Sequence, residues 1–575
     1  MDSGVPAVPG HVALCAYGVR SRPPCGWGEE PTVGESLQAA ARDLATQLPD
    51  ASTPTLTLDI EVASEEVTAD DPGNRKRDPG LWGYVLRSSV GPAVVTPSQV
   101  LEFGVFGGEV EDKEFRPKTL FAELLTRRPG VGTAAPDTPL HRFRALSYVQ
   151  GPDGPIRTYR VHAYDRPSPD AATLEKRTAW AAEHLTSTVD GSGRVRYTYD
   201  AVMGREAGGY NKLRHGGTTY SMLQAYQRFG HEPWRHASEA AIGWLLANSR
   251  RDVRQGPFGG GEVLWVDESK YIKLGGAGLA LVMLTEHMVA TGDRTHLEAA
   301  RAYARFIVSQ QQETGEFVYF APKEVGGKPK DRTSAYYPGE AILGLAKLYA
   351  LDPDPLWLDT AKRGADWLID VRDAGKGASD LANDHWLMIA LSHLVLHTND
   401  QRYVDHSLAL ADAVKYQARK NRRKIATHAD YFGGYYEPPR STPAATRGEG
   451  LVAVLDTCAL VNDPCEGVLD LLLDTVSHEM WSQYTPELSH WLTRPGDVVG
   501  GFSGGIMDVD MRNDFTQHNL SSLLGAERHL RAADGVELPG GPRWTPEKQA
   551  GRHHRHHGAG PRLRRRPGPR GQLRP

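Results

Sequence analysis

Six segments of this chain are so rich in small and aliphatic residues that a helix formed by any of them must be buried on every side. Residues 275–284 read Gly-Gly-Ala-Gly-Leu-Ala-Leu-Val-Met-Leu. A helix that is apolar nearly all round its axis needs neighbouring elements on all sides. The segments therefore predict the inner helices of a larger helical assembly. They are 213–229, 274–291, 339–350, 384–397, 448–461 and 515–530.

A more charged, amphipathic segment precedes each predicted inner helix. In one of them, Tyr303, Phe306 and Ile307 recur at helical spacing. A helix with a single apolar stripe suits the outside of an assembly, where its polar face meets water. The predicted outer helices are 175–188, 234–249, 295–311, 356–371, 402–419 and 466–483.

The alternation of outer and inner helices predicts a closed ring of six helical hairpins. Successive inner segments begin about 45–67 residues apart, a long period that indicates hairpins with loops of variable length. Six inner helices surrounded by six outer ones bury both patterns and leave no unpaired end. An open solenoid is the structural alternative, but its repeats are normally more uniform and end in capping units. We predict a mainly α fold, an (α/α)6 toroid over residues 170–535.

Three other regions differ in composition from the predicted toroid. Residues 1–31 are rich in Gly and Pro and predict a flexible leader. Residues 32–165 mix a predicted helix with alternating, β-branched stretches and predict a smaller α+β domain of unknown role. Residues 536–575 are rich in Arg, His, Pro and Gly, and such a composition cannot bury enough apolar surface to fold. We expect a disordered tail there.

Charge and cysteine content exclude several classes of protein. The net charge of −5 gives no basic field, so nucleic acid is not an expected partner. No apolar run approaches the ~18–20 residues that cross a bilayer, and the first residues lack the pattern of a secretory signal. The four cysteines lack metal-finger spacing and are too few for a disulfide scaffold. We expect a reduced, cytoplasmic protein with no membrane partner.

The turns that lead into the inner helices carry most of the unusual polar residues. Glu340, Asp384 and Glu449 stand at the starts of three predicted inner helices, each beside an aromatic or basic residue. Each also has a structural alternative, because a carboxylate in the first turn of a helix or at its N-cap is stabilised there. We interpret these acids as candidates for proton transfer, one with a pKa raised by burial and another ionised.

Aromatic and basic residues lie in the same turns, and a ring would bring them together at one face. A sugar site needs this mixture of carboxylates for proton transfer, aromatic faces for stacking and polar groups for hydroxyls. An Arg–Asp pair that holds the ring closed explains Arg214 almost as well. The candidates for substrate binding are Tyr210, Arg214, His215, Tyr337, His385, Trp386, Tyr436, Arg447, Asp514 and His518.

No cofactor or metal is expected. Asp514 and His518 lie four residues apart on one helical face, but a third ligand for zinc is not evident. The glycine-rich stretches 259–261, 433–434 and 500–505 lack the strand and lysine of a phosphate loop. They are interpreted as sharp turns beside a ligand or between helices.

The helix plan of residues 175–532 resembles the six-hairpin glycosidase-like superfamily of (α/α)6 toroids. That superfamily includes many glycoside hydrolases, and N-acylglucosamine 2-epimerases and glucuronyl C5-epimerases look related in architecture. The resemblance rests on the order and character of the helices and identifies no single family. It implies a carbohydrate or glycoconjugate as the substrate.

Together, the candidate acids and the resemblance predict a carbohydrate-active, glycoside hydrolase-like enzyme with carboxylate acid/base chemistry at the mouth of the toroid. A sugar epimerase of the same fold, in which histidines remove the proton, is one alternative. A non-catalytic helical scaffold or partner protein is another, because a fold alone does not determine function.

Overall fold

The computed structural model describes residues 10–18, 23–48, 54–67, 80–88, 91–107, 114–127, 140–268, 270–324, 326–425 and 429–536. Of the predicted disordered tail, positions 537–575 lie outside the described residues.

The described helices alternate with loops along the chain from residue 33 to residue 533. They are α1 (Val33–Ala45), α2 (Pro97–Glu102), α3 (Pro117–Arg127), α4 (Ala171–Ser187), α5 (Lys212–Phe229), α6 (Glu232–Ala247), α7 (Leu274–Thr291), α8 (Leu297–Ser309), α9 (Tyr337–Leu351), α10 (Pro355–Trp367), α11 (His385–Thr398), α12 (Gln401–Ile425), α13 (Ser441–Val461), α14 (Val468–Trp481) and α15 (Asn513–Ala533).

The described strands are mostly in the first third of the chain. They are β1 (Val12–Tyr17), β2 (Cys25–Gly28), β3 (Thr55–Val67), β4 (Gly83–Ser88), β5 (Gly91–Val95), β6 (Phe106–Gly107), β7 (Glu114–Phe115), β8 (Leu140–Gly151), β9 (Gly154–Tyr159), β10 (His162–Ala163), β11 (Thr198–Asp200), β12 (Arg205–Glu206), β13 (Ser249–Gly256), β14 (Gly259–Val266), β15 (Tyr271–Lys273), β16 (Phe320–Pro322), β17 (Ser503–Gly505) and β18 (Asp508–Arg512).

Six helices form a closed inner ring. In the order α5, α7, α9, α11, α13 and α15, each packs against the next, and α15 packs against α5. The other six surround them: α4 packs on α15, α6 on α5, α8 on α7, α10 on α9, α12 on α11 and α14 on α13. The predicted (α/α)6 toroid is confirmed, and the contact between α15 and α5 excludes an open solenoid.

Small residues let the inner helices approach closely. A Cβ added at Gly278 of α7 would lie 2.8 Å from the backbone nitrogen of Ala341 in α9, and one added at Gly344 would lie 3.1 Å from the carbonyl oxygen of Gly278. Among the described helices, α7 alone is long and apolar enough to cross a membrane. Its packing between α5 and α9 explains that composition, since most of its residues are buried inside the ring.

The first of the three flanking regions differs from the prediction. Residues 12–17 and 25–28, which we expected in a flexible leader, form β1 and β2 of an eight-stranded antiparallel sheet. The sheet has the order β10-β9-β8-β3-β1-β2, with β4 paired to β8 and β5 paired to β4. The leader prediction failed because β1 is a short apolar run between glycine- and proline-rich turns. With α1 to α3, this sheet confirms a smaller α+β region before the toroid.

The cysteines also differ from the prediction of reduced thiols. The structure joins Cys15 of β1 to Cys25 of β2, and Cys458 of α13 to Cys465 of the following loop. Cys15 and Cys25 are 10 residues apart in sequence, and Cys458 and Cys465 are 7 residues apart. Both disulfides therefore close short local loops. The location of the protein stays a prediction.

Candidate active site

The starts of the inner helices lie side by side at one end of the ring, which we call the mouth. Arg214 of α5 pairs with Asp514 of α15, with Nε 3.1 Å from Oδ2. A Cβ added at Gly339 of α9 would lie 2.6 Å from the backbone nitrogen of Leu387 in α11. These four residues are within the first turn of their helices. Residues from distant parts of the sequence therefore meet at the mouth, as predicted.

Three side chains from α11, α13 and α15 form the most compact polar group at the mouth. His518 Nδ1 lies 2.7 Å from Glu449 Oε2, and His385 Nε2 lies 3.6 Å from the same oxygen. The two imidazole rings meet edge to face with their centroids 5.2 Å apart. All three residues are buried. We call this group the His–Glu cluster.

The helices place the cluster through their starting points and a close contact. His385 is the first residue of α11, and His518 lies in the second turn of α15. Glu449 lies in the third turn of α13 and not in the first turn, because α13 begins at Ser441. Next to it, a Cβ added at Gly450 would lie 2.6 Å from Met388 Sδ of α11. The lack of a side chain at that position lets α13 bring Glu449 up to α11.

The interpretation of Glu449 as a first-turn carboxylate is therefore wrong. The sequence segment 441–447 contains a proline, which is tolerated in the first turn of a helix because its missing N–H would have no partner there. The helix starts before it. Its macrodipole does not explain a carboxylate this far along the axis.

Burial changes the charge preferences within the cluster. It raises the pKa of Glu449, and the adjacent His518 opposes this shift. Burial lowers the pKa of His385 well below its usual value, and His518 and Arg447 lower it further. His385 is therefore neutral near pH 7. Within the described part of the chain, neither of its ring nitrogens has a hydrogen-bond partner.

Aromatic side chains border the cluster. Tyr336, which is 46% exposed, lies with its ring centroid 5.6 Å from that of His385. Tyr436 is 43% exposed and lies near Tyr336, because burial first and then Tyr436 raise the pKa of Tyr336. Trp386 was predicted to stack on a substrate, but it is only 3% exposed and packs beneath both histidines. Among the described aromatic residues named at the mouth, Tyr336 and Tyr436 are the exposed ones.

Arg447 supports this aromatic border. Its guanidinium lies 4.8 Å from the ring centroid of Tyr435 and 5.3 Å from that of Tyr436. Its nitrogens donate to Gln417 Oε1 and to the carbonyl oxygen of Pro443. Arg447 is buried, and these contacts hold the tyrosines in place.

Glu340 lies in the first turn of α9, as predicted, but outside the cluster. Burial, and then the nearby charge of Asp384, raise the pKa of Glu340 to about 8. Its Oε2 is buried, has no hydrogen-bond partner in the described ranges and lies against Gly275 of α7. At neutral pH this carboxyl group keeps its proton.

Asp384 has the structural role that the sequence left open. Its Oδ1 accepts the N–H of Leu387 and caps α11, and its Oδ2 accepts from Arg372 Nη1 at 2.7 Å. Both carboxylate oxygens are thus occupied in a fully buried site. These contacts place the candidate acid Asp384 in the framework of the mouth.

Several predicted binding residues also contact the framework. Arg214 and Asp514 join α5 to α15, and Arg512 forms two further bonds to Asp514 at 2.5 and 3.0 Å. The predicted alternative of an Arg–Asp pair closing the ring therefore describes Arg214. Burial opposes the ionisation of Asp514, but the two arginines keep its pKa below the usual value.

Tyr210 and His215 lie together beside α6. The Tyr210 hydroxyl is 2.7 Å from His215 Nδ1, and His215 Nε2 donates to the carbonyl oxygen of Ala241 at 2.8 Å. The His215 ring also stacks on Trp244 at 4.7 Å. Both ring nitrogens are occupied, so His215 fastens α5 to α6. Tyr337 is half-buried, and its ring lies 5.4 Å from that of Phe320.

A metal ion has one candidate site at the mouth. In the described residues, ligand atoms of His385, Glu449 and His518 all lie within 4.8 Å of one another. The third ligand that the sequence did not reveal is thus supplied by other helices, and Asp514 is not part of the group. The Nδ1 of His518 is already at hydrogen-bonding distance from Glu449. A cation would have to replace that contact.

Two residues near the cluster were not among the sequence candidates. Tyr336 could have been found, because it precedes Tyr337 in the same turn. Glu479 of α14 is fully buried, and burial raises its pKa well above the usual value, with Glu449 among the nearby charges. No signal pointed to it, since α14 is an outer helix whose start lies more than two turns away.

No protein-family model and no curated protein matches this chain. Solved structures do. An unsaturated glucuronyl hydrolase specific for heparin has a TM-score of 0.45 at 14% identity, over 64% of this chain and 99% of its own. The GH76A alpha-1,6-mannanase from Salegentibacter sp. HEL1_6 has a TM-score of 0.43 at 14% identity, over 63% and 100%. Cellobiose 2-epimerase from Spirochaeta thermophila DSM 6192 has 0.43 at 15%, over 63% and 96%.

Both kinds of enzyme named by the resemblance, glycoside hydrolases and sugar epimerases, are thus among the similar structures. At these identities and TM-scores the similarity assigns no residue of this chain a role.

Proposed function

We propose that the mouth is the active site of a carbohydrate-active enzyme that moves a proton at a carbon of its sugar, as epimerases and isomerases do. One observation carries this proposal. His385 and His518 meet edge to face with ring centroids 5.2 Å apart, and of the two histidines only His518 is within hydrogen-bonding distance of Glu449. Such a pair places a neutral imidazole beside one that is partnered by a carboxylate, which is the arrangement that a base and an acid need.

His385 is the base in this proposal. It is neutral because burial lowers its pKa, and its ring nitrogens have no hydrogen-bond partner among the residues that the structure describes. A lone pair on the ring is therefore free to accept a proton from a substrate carbon. That carbon must lie next to a carbonyl or carboxylate group, which takes up the electron pair of the broken C–H bond. Negative charge developing there favours the protonated imidazole.

His518 is the acid. An ionised carboxylate can only accept hydrogen bonds, so in this proposal Glu449 accepts the proton of His518 Nδ1 at 2.7 Å, a nitrogen that Gln517 Nε2 also approaches at 3.1 Å. The proton on Nε2 is then the one delivered to the opposite face of the carbon. The sugar loses one proton to His385 and gains one from His518. Its configuration at that carbon is inverted.

The exposed tyrosines favour a sugar as the substrate. Tyr336 and Tyr436 present aromatic faces beside the cluster. The apolar face of a pyranose packs well on such rings, while its hydroxyl groups need polar partners. The mouth thus combines stacking surfaces with acid/base groups, which is what a carbohydrate site requires.

The proposal is tested by proton exchange with solvent. The protein is incubated in D2O with aldoses, ketoses, disaccharides and uronates, and deuterium entering the carbon next to the carbonyl or carboxylate is followed by NMR. We expect exchange with at least one of these sugars. His385→Gln and His518→Gln should each reduce its rate by about 100-fold or more.

His236→Gln is the matched control, because His236 is an exposed residue of α6 far in sequence from the cluster. It should exchange at the wild-type rate. If both cluster variants keep the wild-type rate, the histidines do not transfer the proton. If no sugar exchanges, proton transfer at carbon is not the reaction.

Glycoside hydrolysis is the second candidate function, and a specific observation favours it. Glu340 is protonated at neutral pH because its pKa is raised to about 8, which is the state that a general acid needs. Glu449 is then the remaining candidate for the base or nucleophile. Release of nitrophenol from aryl glycosides, lost in Glu340→Gln, would support this function. If Glu340→Gln still turns over its sugar substrate, Glu340 is not the essential acid, and the result favours the pair His385 and His518 as the catalytic groups.

The scaffold alternative has a distinct outcome. A non-catalytic protein would neither exchange protons nor release nitrophenol. Replacing Glu340, Asp384 and Glu449 together would then leave the binding of its partner unchanged.

A further inference from the structure

A buried ion pair joins the N-terminal sheet region to the toroid. Arg160, in the turn between β9 and β10, places Nε 2.8 Å from Oδ2 of Asp430, and both side chains are fully buried. The two residues are 270 positions apart in sequence. Arg160 has a φ of 58°, a left-handed conformation that side chains other than glycine rarely adopt. An uncommon backbone is thus maintained at the point of contact.

Further contacts surround this pair. Trp481 Nε1 of α14 donates to the carbonyl oxygen of Ala163, and its ring lies 5.1 Å from that of His162. Arg166 Nη1 donates to the carbonyl oxygen of Phe432 at 2.6 Å. The sheet region and the residues that directly follow it therefore contact both α14 and the chain that precedes α13.

The chain that precedes α13, residues 429–440, is here called the mouth segment. Residues 432–439, all of which the structure describes, belong to no helix or β-ladder. Side-chain contacts therefore set the path of this segment. Gly433, with a φ of 76°, brings it close to α14, where any Cβ would overlap the carbonyl oxygen of Asp474. This pair of glycines thus makes a sharp turn between helices, as predicted for 433–434.

The mouth segment carries Tyr436, one of the two exposed tyrosines that border the cluster, and its buried neighbour Tyr435. Tyr435 is buried and hydrogen-bonds through its hydroxyl to Thr475 Oγ1 at 2.8 Å. Tyr436 follows it and is exposed, between the guanidinium groups of Arg440 and Arg447. A shift of the segment would move Tyr436 relative to His385.

We infer that the N-terminal sheet region positions the aromatic border of the mouth, with Arg160 as the positioning residue through its pairing with Asp430. The part of the inference that concerns substrate binding rests on the proposed function. The docking of the mouth segment does not.

The chemistry of the contact favours positioning over simple stability. Desolvation of two charges offsets most of their attraction, so a buried ion pair adds little net stability. It does penalise any arrangement that leaves one charge buried alone, and it therefore specifies one alignment of the two surfaces. Arg160 and Asp430 define where the mouth segment lies.

Hydrogen–deuterium exchange of the full-length protein tests the docking. In Arg160→Met, peptides covering 429–447 should exchange about 10-fold faster, while peptides from α5 and α7 keep wild-type rates. Arg87→Met is the matched control, because Arg87 forms a partly exposed ion pair with Glu29 elsewhere in the sheet region. Unchanged exchange of 429–447 in Arg160→Met would overturn the inference.

Kinetics with a sugar found by the D2O assay tests the role in binding. We expect KM to rise about 10-fold in Arg160→Met while kcat stays within about 3-fold, since binding is weakened and the histidines are untouched. Arg160→Lys, which keeps the charge but not the planar fork, should recover part of the loss. A fall in kcat at constant KM would contradict positioning.

Arg160→Met/Asp430→Leu is used if Arg160→Met does not fold, because it removes both charges together. It should fold and show the same faster exchange of 429–447; wild-type exchange in a folded double variant would also overturn the inference. If no sugar is turned over, the exchange experiment still decides whether Arg160 fixes the mouth segment. Failure of the proposed function is thus distinguishable from failure of the docking.

Discussion

Glu340 and Glu449 are both buried acids at the mouth, but they differ in their partners. Glu449 lies beside His518, whose charge opposes the effect of burial on its pKa. Glu340 has only Asp384 nearby as a charged influence, and that charge adds to the effect of burial. One acid can therefore support a charged histidine, whereas the other keeps its own proton. Replacement by glutamine should therefore affect proton exchange strongly at Glu449 and only weakly at Glu340.

Glu449→Gln should slow proton exchange into sugars by about 100-fold, because the amide cannot stabilise a charged His518. The fold should persist, since glutamine has nearly the same volume. The rate is measured by deuterium uptake and the fold by circular dichroism. Glu340→Gln is the matched control and should retain most of the exchange. Equal losses in the two variants would contradict the assignment of Glu449 to His518.

Glu340→Gln should change how stability depends on pH. The folded protein keeps the Glu340 proton up to about pH 8, whereas the unfolded chain loses it near the ordinary glutamate pKa of 4.5. Wild-type stability therefore falls as pH rises from 4.5 towards 8. At pH 9 the variant should be more stable by on the order of 5 kcal/mol. Urea unfolding at pH 5 and pH 9 checks this. Parallel changes in both proteins would show that Glu340 ionises normally.

The site was only partly predictable from sequence. The ring pattern was enough to bring His385, Glu449 and His518 to one end. It could not tell which side chains face the mouth and which fasten helices to one another. Asp384 and His215 were equally plausible candidates, but their partners, Arg372 and the carbonyl oxygen of Ala241, lie on other helical segments. Orientation within a helix start depends on packing that no local pattern records.

At the scale of elements, the contact between α7 and α9 depends on glycines at defined positions. A Cβ added at Gly275 would overlap Glu340 Oε2 and the Tyr337 ring. A Cβ added at the next residue, Gly276, would meet Val266 Cβ at 3.5 Å, which is ordinary contact. The first glycine makes room for the candidate acid, and the second does not.

Gly275→Ala should therefore destabilise the protein by about 1–3 kcal/mol, because Glu340 and Tyr337 must move. Gly276→Ala is the matched control and should change stability by no more than about 1 kcal/mol, since alanine also favours a helix. Denaturant unfolding measures both. A loss in Gly276→Ala as large as that in Gly275→Ala would mean that helix packing as a whole, and not the Glu340 pocket, sets the requirement.

Element type was predictable where burial imposes a strong period. All six inner and six outer helices were identified because apolar composition and helical spacing alternate over the whole toroid. Two kinds of error occurred at the edges. The start of α13 was placed seven residues late, at 448 and not at Ser441, because the segment before Gly448 carries little apolar signal. Strands β1 and β2 were missed because β2 pairs only with β1, and β1 pairs in turn with β3, a segment about 40 residues further along the chain.

For the molecule as a whole, buried histidines link the toroid to its surroundings. His184 of α4 packs against the glycines at 500 and 501, and His162 of β10 packs on Trp481. Burial lowers the pKa of His184 to about 3 and that of His162 to about 4. His478 of α14 and His215 of α5 have pKa values lowered by burial to about 3 and about 4. The native protein thus holds several histidines neutral.

This makes the protein sensitive to acid. Each of these histidines takes up a proton near pH 6.5 when the chain unfolds, but only near pH 3–4 in the native state. Stability is therefore complete above about pH 6.5 and is lost as pH falls towards the folded values. One such group lowers the free energy of unfolding by about 2 kcal/mol between pH 7 and pH 5.

His184→Gln should remove that share, so that urea unfolding shows a smaller decrease in the free energy of unfolding between these pH values than in the wild type. His236→Gln, at an exposed position, should leave the decrease unchanged. An undiminished decrease in His184→Gln would mean that His184 is already protonated in the native protein, so that burial in the toroid does not keep it neutral.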